Sequence, residues 1–417
     1  MLDIQFIRDN QAAVEKAAKE KKMDVDIKQL LVLDDQRKTL VGEIDGLRAQ
    51  RNELASQAKG SKPTEEQIAA GREVKEKIST LEDELNEIEK PYNDLMLRVP
   101  NVTDESVPVG EDDQDNQPIK HWGDETQFDF EPKDHIEIMT AKDMADFERG
   151  VKVHGFRGYY LKGEGALLSW AIWNYANDVF IKKGFVPFIP PVIVREENLY
   201  GTSHLPNDAE DVYKTQDDDY LIGTSEIPLT GYHSDEILEL GELPKKYLGF
   251  SPCFRREAGS YGRDTKGLIR VNEFFKQEQV IICEGTHEES VKWHEEINRN
   301  TEEFIESLGI PYRTVVNCTG DLGQGQVKKY DIELWVPMEK KYREISSASY
   351  FHDFQARRFN IRYKDADGKT QFAHTLNSTA IPTPRILVSL IENYQDKDGN
   401  ITIPEVLRPY MGGREVI

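Results

Sequence analysis

Hydrophobic positions recur at steps of three and four along the first hundred residues. Leu30, Leu33, Arg37, Leu40, Ile44, Leu47, Arg51, Leu54 and Ala58 form one seam, broken by Lys59-Gly60-Ser61-Lys62-Pro63. Val74, Ile78, Leu81, Leu85, Ile88, Tyr92 and Leu95 form a second. Such spacing lines one stripe of an α-helix, and sustained over several heptads it is the pattern of a coiled coil. Gly and Pro mark the break as a turn. The two seams predict an antiparallel coiled-coil helical hairpin over about residues 27–97, within an N-terminal domain 1–98. Each helix would have roughly 30 residues and reach about 45 Å at 1.5 Å per residue. By itself the hairpin reads as readily as a dimerisation element.

The pattern changes after residue 98. Pro, Asp, Asn and Gly dominate from Val99 to Asp124 without apolar periodicity, so residues 99–129 read as an extended linker. A compact domain is expected over 130–417. Helices are predicted at Ala166–Lys183, His287–Leu308 and Pro384–Gln395. Strands are predicted at Tyr247–Phe250, Gln279–Cys283, Tyr312–Asn317 and Tyr330–Val336. That alternation is α+β. The chain has neither a GxxxxGK loop followed by Ser or Thr nor a strand–GxGxxG–helix unit, so neither P-loop nor Rossmann geometry is available for a nucleotide.

The densest chemistry lies in Cys253–Glu278, CFRREAGSYGRDTKGLIRVNEFFKQE. Strand alternation would put Arg270, Asn272, Phe274, Lys276 and Glu278 on one face and Val271, Glu273, Phe275 and Gln277 on the other. Two cations, a ring and an acid suit a polyanion carrying an aromatic base, because guanidinium groups clamp phosphate and a ring stacks on a purine. A charged, solvent-exposed hairpin is the plainer alternative.

Composition narrows the choice. The 417 residues are 38% hydrophobic and 31% charged, with a net charge of −23. That charge argues against general affinity for nucleic acid. Any such contact needs a local basic strip, and Arg48, Arg51, Lys59 and Lys62 against Glu53 alone make one. A solvated coiled-coil flank would look the same. Cys253, Cys283 and Cys318 lie far apart and fit neither a disulfide framework nor a zinc site. The N-terminus lacks a basic segment followed by an apolar stretch, and no run approaches a membrane span. A cytoplasmic protein without a membrane partner is expected.

Several blocks, taken in order, resemble the class II aminoacyl-tRNA synthetases in the form of the bacterial seryl-tRNA synthetases. Cys253–Glu278 resembles motif 2, Gly184–Pro191 motif 1, and Leu221–Glu226 the serine-binding TxE loop. Tyr342–Ser347 and Phe354–Arg358 resemble the blocks before motif 3, and His374–Thr379 with Arg385 resembles motif 3 itself. The resemblance implies a class II synthetase catalytic domain built on an antiparallel β-sheet flanked by helices. It implies a homodimer through the motif 1 region around Pro191, and an arm that grips tRNA. The implied reaction joins L-serine and ATP into seryl-adenylate and pyrophosphate. Serine then passes to tRNA(Ser), and also to tRNA(Sec) where that tRNA exists.

The same resemblance assigns residues. Arg255 would sit on the α-phosphate, Arg270 would bridge the α-phosphate region and the serine carboxylate, and Arg385 would hold the γ-phosphate. Glu344 and Ser347 would ligate Mg²⁺, with Ile345 and Ser346 completing the ATP block. Arg256 and Glu257 join the ATP set, Glu257 near the adenine, where Phe274 stacks and Val271 offers backbone contacts. Thr224, Ser225, Glu226, Arg270, Glu278, Asn377 and Thr379 would form the serine site. Among them Thr379, Asn377 and Glu278 read the hydroxyl, and Glu278, Thr224 and Glu226 suit the ammonium. No zinc is expected.

The chain departs from the family pattern in three places, one of them Arg256, which replaces a common small polar residue. The usual RVHQF reads Arg270-Val271-Asn272-Glu273-Phe274, and Ser378-Thr379-Ala380-Ile381-Pro382 replaces a Gly-rich run. Three rivals stand beside the synthetase reading. A carrier-protein-loading paralogue would lack the arm and carry a metal-site Cys. A dead binding protein would have lost a phosphate Arg or the Mg²⁺ acid. A coiled-coil scaffold would not need the polar constellation.

Overall fold

A computed structural model describes residues 1–57, 64–259, 262 and 264–417. The chain divides into two compact units, Met1–Pro100 and Asn101–Ile417.

The first unit is dominated by α1 (Ile27–Gln57) and α2 (Glu65–Arg98). They run antiparallel: Arg37 pairs with Glu89 at 3.3 Å and Arg48 with Glu82 at 2.8 Å, so numbering rises along one helix as it falls along the other. The predicted seams face inward. Leu30, Leu33, Ile44, Val74, Ile78 and Tyr92 are buried. Leu40, Leu47 and Leu54 are only half-buried, because a two-helix arm gives each side chain a single partner helix. Thr64 starts α2 with a capping box, its hydroxyl accepting from the Gln67 amide while the Gln67 side chain accepts from the Thr64 amide. Two short helices, Ile4–Asp9 and Gln11–Glu20, bury Ile7 and Val14.

The second unit is built on one eight-stranded sheet. Its strands are β1 (Gln117–Trp122), β2 (Val186–Phe188), β3 (Lys245–Phe254), β4 (Glu273–Cys283), β5 (Tyr312–Val316), β6 (Lys328–Val336), β7 (Lys341–Tyr350) and β8 (His374–Thr383). Their order is β1-β5-β6-β7-β8-β4-β3-β2. Every neighbouring pair is antiparallel except β2–β3, which is parallel. The stretch read as a linker supplies β1, the edge strand beside β5.

One face of the sheet carries α3 (Glu164–Lys182), α5 (His287–Leu308) and α7 (Arg385–Asn393). Leu168, Ile172, Phe180, Ile297, Phe304 and Leu387 belong to the main core. Each such side chain contributes about 1.5–3 kcal/mol on burial. Thr286 caps the start of α5, and Gly309, at φ +68°, ends it in the left-handed region. Two polar residues aimed at the helices bond to them. Gln277 donates to Asn177 at 2.9 Å, and Gln279 donates to the Ile297 carbonyl at 3.0 Å. The opposite face packs a second apolar cluster around Tyr247, Val280 and Ile282 and carries polar side chains beyond it.

Candidate active site

Strand register decides which side chains share that second face. Glu278 lies opposite Gly249 on β3 and Thr379 on β8, and Lys276 lies opposite Ser251. Asn377 is two residues from Thr379 and opposite Ser349 of β7, so Ser349 and Ser347 join the face. Glu344 is three residues from Ser347, a spacing that strict alternation would send to the other side. A β-bulge restores it: Ser347 pairs with Asp331 and Glu344 with Glu333, two residues that share a face of β6. A second bulge, at Ala380, changes the phase of β8, so that Ile381 enters the core while Pro382 lies opposite Lys276.

Two adjoining hollows result. A narrow cleft is lined by Arg255, Glu257, Val271, Phe274, Lys276, Glu344, Ile345, Thr379 and Arg385. Arg255 lies over the Phe274 ring, 5.3 Å from its centroid. Arg385 is held at the start of α7, donating to the Ile269 carbonyl and to the Glu344 carbonyl, each at 2.8 Å. A larger cavity of about 600 Å³ lies on the helix side of the sheet, lined by Arg157, Trp170, Trp173, Phe250 and Phe275 among others. Its lining is mainly aromatic and aliphatic, so the narrower cleft is the site of ionic chemistry.

Beside the cleft lies a small acidic pocket. Thr379 donates to Glu278 at 3.3 Å, and Lys276 pairs with the same carboxylate oxygen at 2.7 Å. Glu226 opens helix α4 (Glu226–Thr230) and is buried. Its carboxylate accepts from Gln355 at 2.8 Å, and Gln355 in turn accepts from Thr375 at 2.6 Å. Burial first, and then the charge of Glu278, pushes the Glu226 carboxyl up to about 7. Asn377 is near enough to favour the charged form of Glu226, yet its buried Nδ2 makes no well-formed hydrogen bond. Thr224 accepts from the Glu226 amide at 3.2 Å, and the Ser225 hydroxyl meets that of Ser251 at 2.7 Å. The Ser225 loop lies flat on the sheet because residue 249 is Gly. A Cβ there would stand 2.7 Å from Ser225 Cβ and 2.6 Å from Leu229 Cδ1.

The expected residues are thus largely together, with differences. Strand β4 begins at Glu273, so alternation does not reach back to Arg270. Arg270 lies ahead of the strand; it donates to Glu257, itself a cleft residue, at 2.7 Å and lies 3.6 Å from Asp264. Val271, expected behind the sheet, lines the cleft with Phe274. Asn272 donates to the carbonyls of Arg255 and Arg256 at 3.0 and 3.2 Å and so braces the loop that presents Arg255. Arg256 is exposed, its amide bonded to the Asp211 carbonyl. Ser346 points away from Ser347 and donates to the Thr379 carbonyl. In the first unit Arg48 is engaged by Asp45 and Glu82, and Arg51 is exposed. Lys59 and Lys62 lie outside the described residues. Pro191 is exposed near edge strand β2.

Two participants escaped the sequence reading. Lys276 falls on the predicted face, but the resemblance assigns it no role. Gln355 lies on α6 (Phe354–Phe359), in a block that resembles the family, yet nothing in a helical pattern marks it as the partner of a buried acid.

Comparison with known proteins accounts for the whole arrangement. The seryl-tRNA synthetase N-terminal domain family matches residues 1–103, and the tRNA synthetase class II core domain family (G, H, P, S and T) matches residues 212–394. The serine--tRNA ligase of Deinococcus radiodurans is 45% identical over 420 residues, covering 100% of this chain and 99% of its own. The crystal structure of seryl-tRNA synthetase from Pyrococcus horikoshii complexed with ATP superposes with a TM-score of 0.91 at 42% identity, covering 100% of this chain and 99% of that one. The cytoplasmic serine-tRNA ligase from Naegleria fowleri, solved with AMP, gives a TM-score of 0.88 at 32% identity, covering 100% and 98%. With a helical hairpin, an antiparallel sheet and a cation-lined cleft beside an acidic pocket, the chain belongs to the seryl-tRNA synthetase family, within class II.

Proposed function

We propose that this protein activates L-serine with ATP, releasing pyrophosphate, and passes the seryl group to tRNA(Ser), and to tRNA(Sec) where that tRNA exists. The observation that carries the reading is the junction of the narrow cleft and the acidic pocket. Glu278, Thr379 and Asn377 offer a charged acceptor, a hydroxyl and an amide at the end of a cleft lined by Arg255 and Arg385. The serine carboxylate and the α-phosphate are both anions. Joining them requires neutralisation and alignment rather than covalent help from the protein.

Arg255 faces the α-phosphate, where charge grows during attack, and Arg385 the γ-phosphate. Phe274 supports the adenine, with Val271 and Glu257 at its edge. Arg270 acts through Glu257, fixing its carboxylate. Glu344 and Ser347 fit Mg²⁺: both are hard oxygen donors, brought to one face by the bulge at Ile345. When bound there, the ion would neutralise phosphate oxygens. The serine ammonium lies between Glu226 and Glu278, with Thr224 beside it. A pocket built to bond a hydroxyl strands its own polar groups when alanine enters, and thereby rejects it.

The hairpin arm is the tRNA-gripping element, with Arg51, Lys59 and Lys62 as phosphate contacts and Arg48 a weaker one. Acids outnumber bases on α2, so the contact belongs to the α1 side and the turn. A second copy covers the β2 edge around Pro191, where Val186 and Ile189 are 53% and 88% exposed; an uncovered apolar edge strand invites pairing. No helix among the described residues is long and apolar enough to cross a membrane, which accords with a cytoplasmic enzyme.

The test is ATP–pyrophosphate exchange with each of the twenty amino acids, followed by aminoacylation of total tRNA. Serine should support exchange far better than alanine, glycine or threonine. Equal kcat/KM for alanine would sink the serine reading.

A further inference from the structure

Lys276 lines the cleft and reaches into the acidic pocket, yet no role has fallen to it. Its Nζ stands 2.7 Å from Glu278, and the two side chains are only 8% and 2% exposed. A charge so deeply placed persists only if it is paired. Charges around the pocket set the problem. Glu226 and Glu278 are buried acids, Lys276 is the cation facing them, and Gln355 and Asn377 are neutral. Arg270, the expected partner of the substrate carboxylate, is occupied by Glu257 and Asp264 and does not line the cleft.

An α-amino acid adds one cation and one anion to this set. If its ammonium docked on Glu278 while Lys276 stayed in place, the two cations would crowd that carboxylate and the substrate carboxylate would have to compete with the α-phosphate for Arg255. If Lys276 turned away, the ammonium would keep Glu278 and the substrate carboxylate would gain Lys276 as a partner. The residue can do this, since a lysine is a point charge on a flexible four-carbon stem. It also lies in the right place, because its side chain borders both the cleft lined by Arg255 and the pocket that ends at Thr379.

We propose that Lys276 is an amino-acid-binding, specificity-determining residue. In the free pocket its ammonium stands where the substrate's will be, on Glu278. When a zwitterionic α-amino acid docks, Lys276 yields that place and takes the substrate carboxylate, on the side where ATP lies. The exchange selects against amines that bring no carboxylate, because they displace Lys276 without giving it a new partner. This inference rests on the reading of the pocket as the amino-acid site.

The experiment compares equilibrium binding of L-serine and L-serinamide, which lacks the carboxylate charge, to the full-length protein. It uses the unchanged protein, Lys276→Met, Lys276→Gln and Lys276→Arg. The preference for serine over serinamide should fall at least about tenfold in the Met and Gln variants, the scale of a charge-assisted hydrogen bond, and return in the Arg variant. A merely structural lesion would weaken both ligands in parallel and leave their ratio unchanged. Lys276→Gln keeps a donor for Glu278 and carries the test if the Met variant does not fold. An unchanged ratio in a folded Met or Gln variant, beside normal serine-dependent exchange in the unchanged protein, overturns the role of Lys276 alone. Absence of that exchange overturns the serine reading and this inference with it.

Discussion

Glu226→Gln should make the ligand-free protein more stable and inactive at once. The Glu226 carboxyl is buried and faces Glu278, and it is pushed up to about 7 from an ordinary 4.5, although Gln355, Lys276 and Asn377 act the other way. At about 1.36 kcal/mol per tenfold, holding it charged above that value costs the folded state about 3 kcal/mol. An acid whose folded pKa lies above its unfolded one binds its proton more tightly in the folded state. Its stabilising share is therefore present below about pH 4.5, fades as pH rises to about 7, and is absent beyond. Glutamine keeps the shape and still accepts from Gln355, but it never ionises. Urea unfolding without ligand at pH 5 and pH 8.5 should show the variant gaining up to about 3 kcal/mol on the wild type between the two. Serine-dependent exchange should meanwhile collapse, because the substrate ammonium loses a carboxylate. A stability difference that does not change with pH would refute the argument that Glu226 is held uncomfortably in an acidic pocket.

Two further outcomes separate the chemistry from its scaffold. Arg255→Lys keeps the charge and loses the planar fork, so kcat for exchange should fall by roughly 10²–10³ while KM for serine changes little; near-normal kcat would make Arg255 an ordinary cation. Gly249→Ala should cost about 1–3 kcal/mol in unfolding experiments and raise KM for serine but not for ATP, since the new Cβ meets Ser225 at 2.7 Å and Leu229 at 2.6 Å.

The hairpin was legible because its seams obey one period from end to end, and α5 because its amphipathic pattern is long and bounded by Thr286 and Gly309. Strands β7 and β8 were not read as strands. Ser346, Ser347, Ser349, Thr375, Asn377 and Thr379 interrupt the apolar alternation that marks a sheet. Apart from Ser346, which bonds the Thr379 carbonyl, those polar residues share the face of the sheet on which the site lies. Identities within the site were legible through motif resemblance, but their partners were not. The engagement of Arg270 by Glu257 depends on where β4 begins, since alternation says nothing of a residue that lies ahead of the strand. Glu344 and Ser347 share a face only through a bulge, which no pattern of hydrophobicity announces.

The sheet also carries a mechanical consequence. Among the described residues β7 and β8 are laddered through Ala348–Ser378, Ser349–Asn377 and Tyr350–Leu376, whereas β4 pairs with β8 along most of its length. Both bulges fall just past the end of that short ladder. The sheet is thus two halves, β1-β5-β6-β7 and β8-β4-β3-β2, joined through a short backbone ladder. Glu344 and Ser347 ride on one half; Arg255, Glu278 and Thr379 ride on the other. Past the ladder the halves are clasped by side chains, Ser346 donating to the Thr379 carbonyl and Arg385 to the Glu344 carbonyl, so the spacing between the two groups of ligands is set by side-chain contacts as well as by strand pairing.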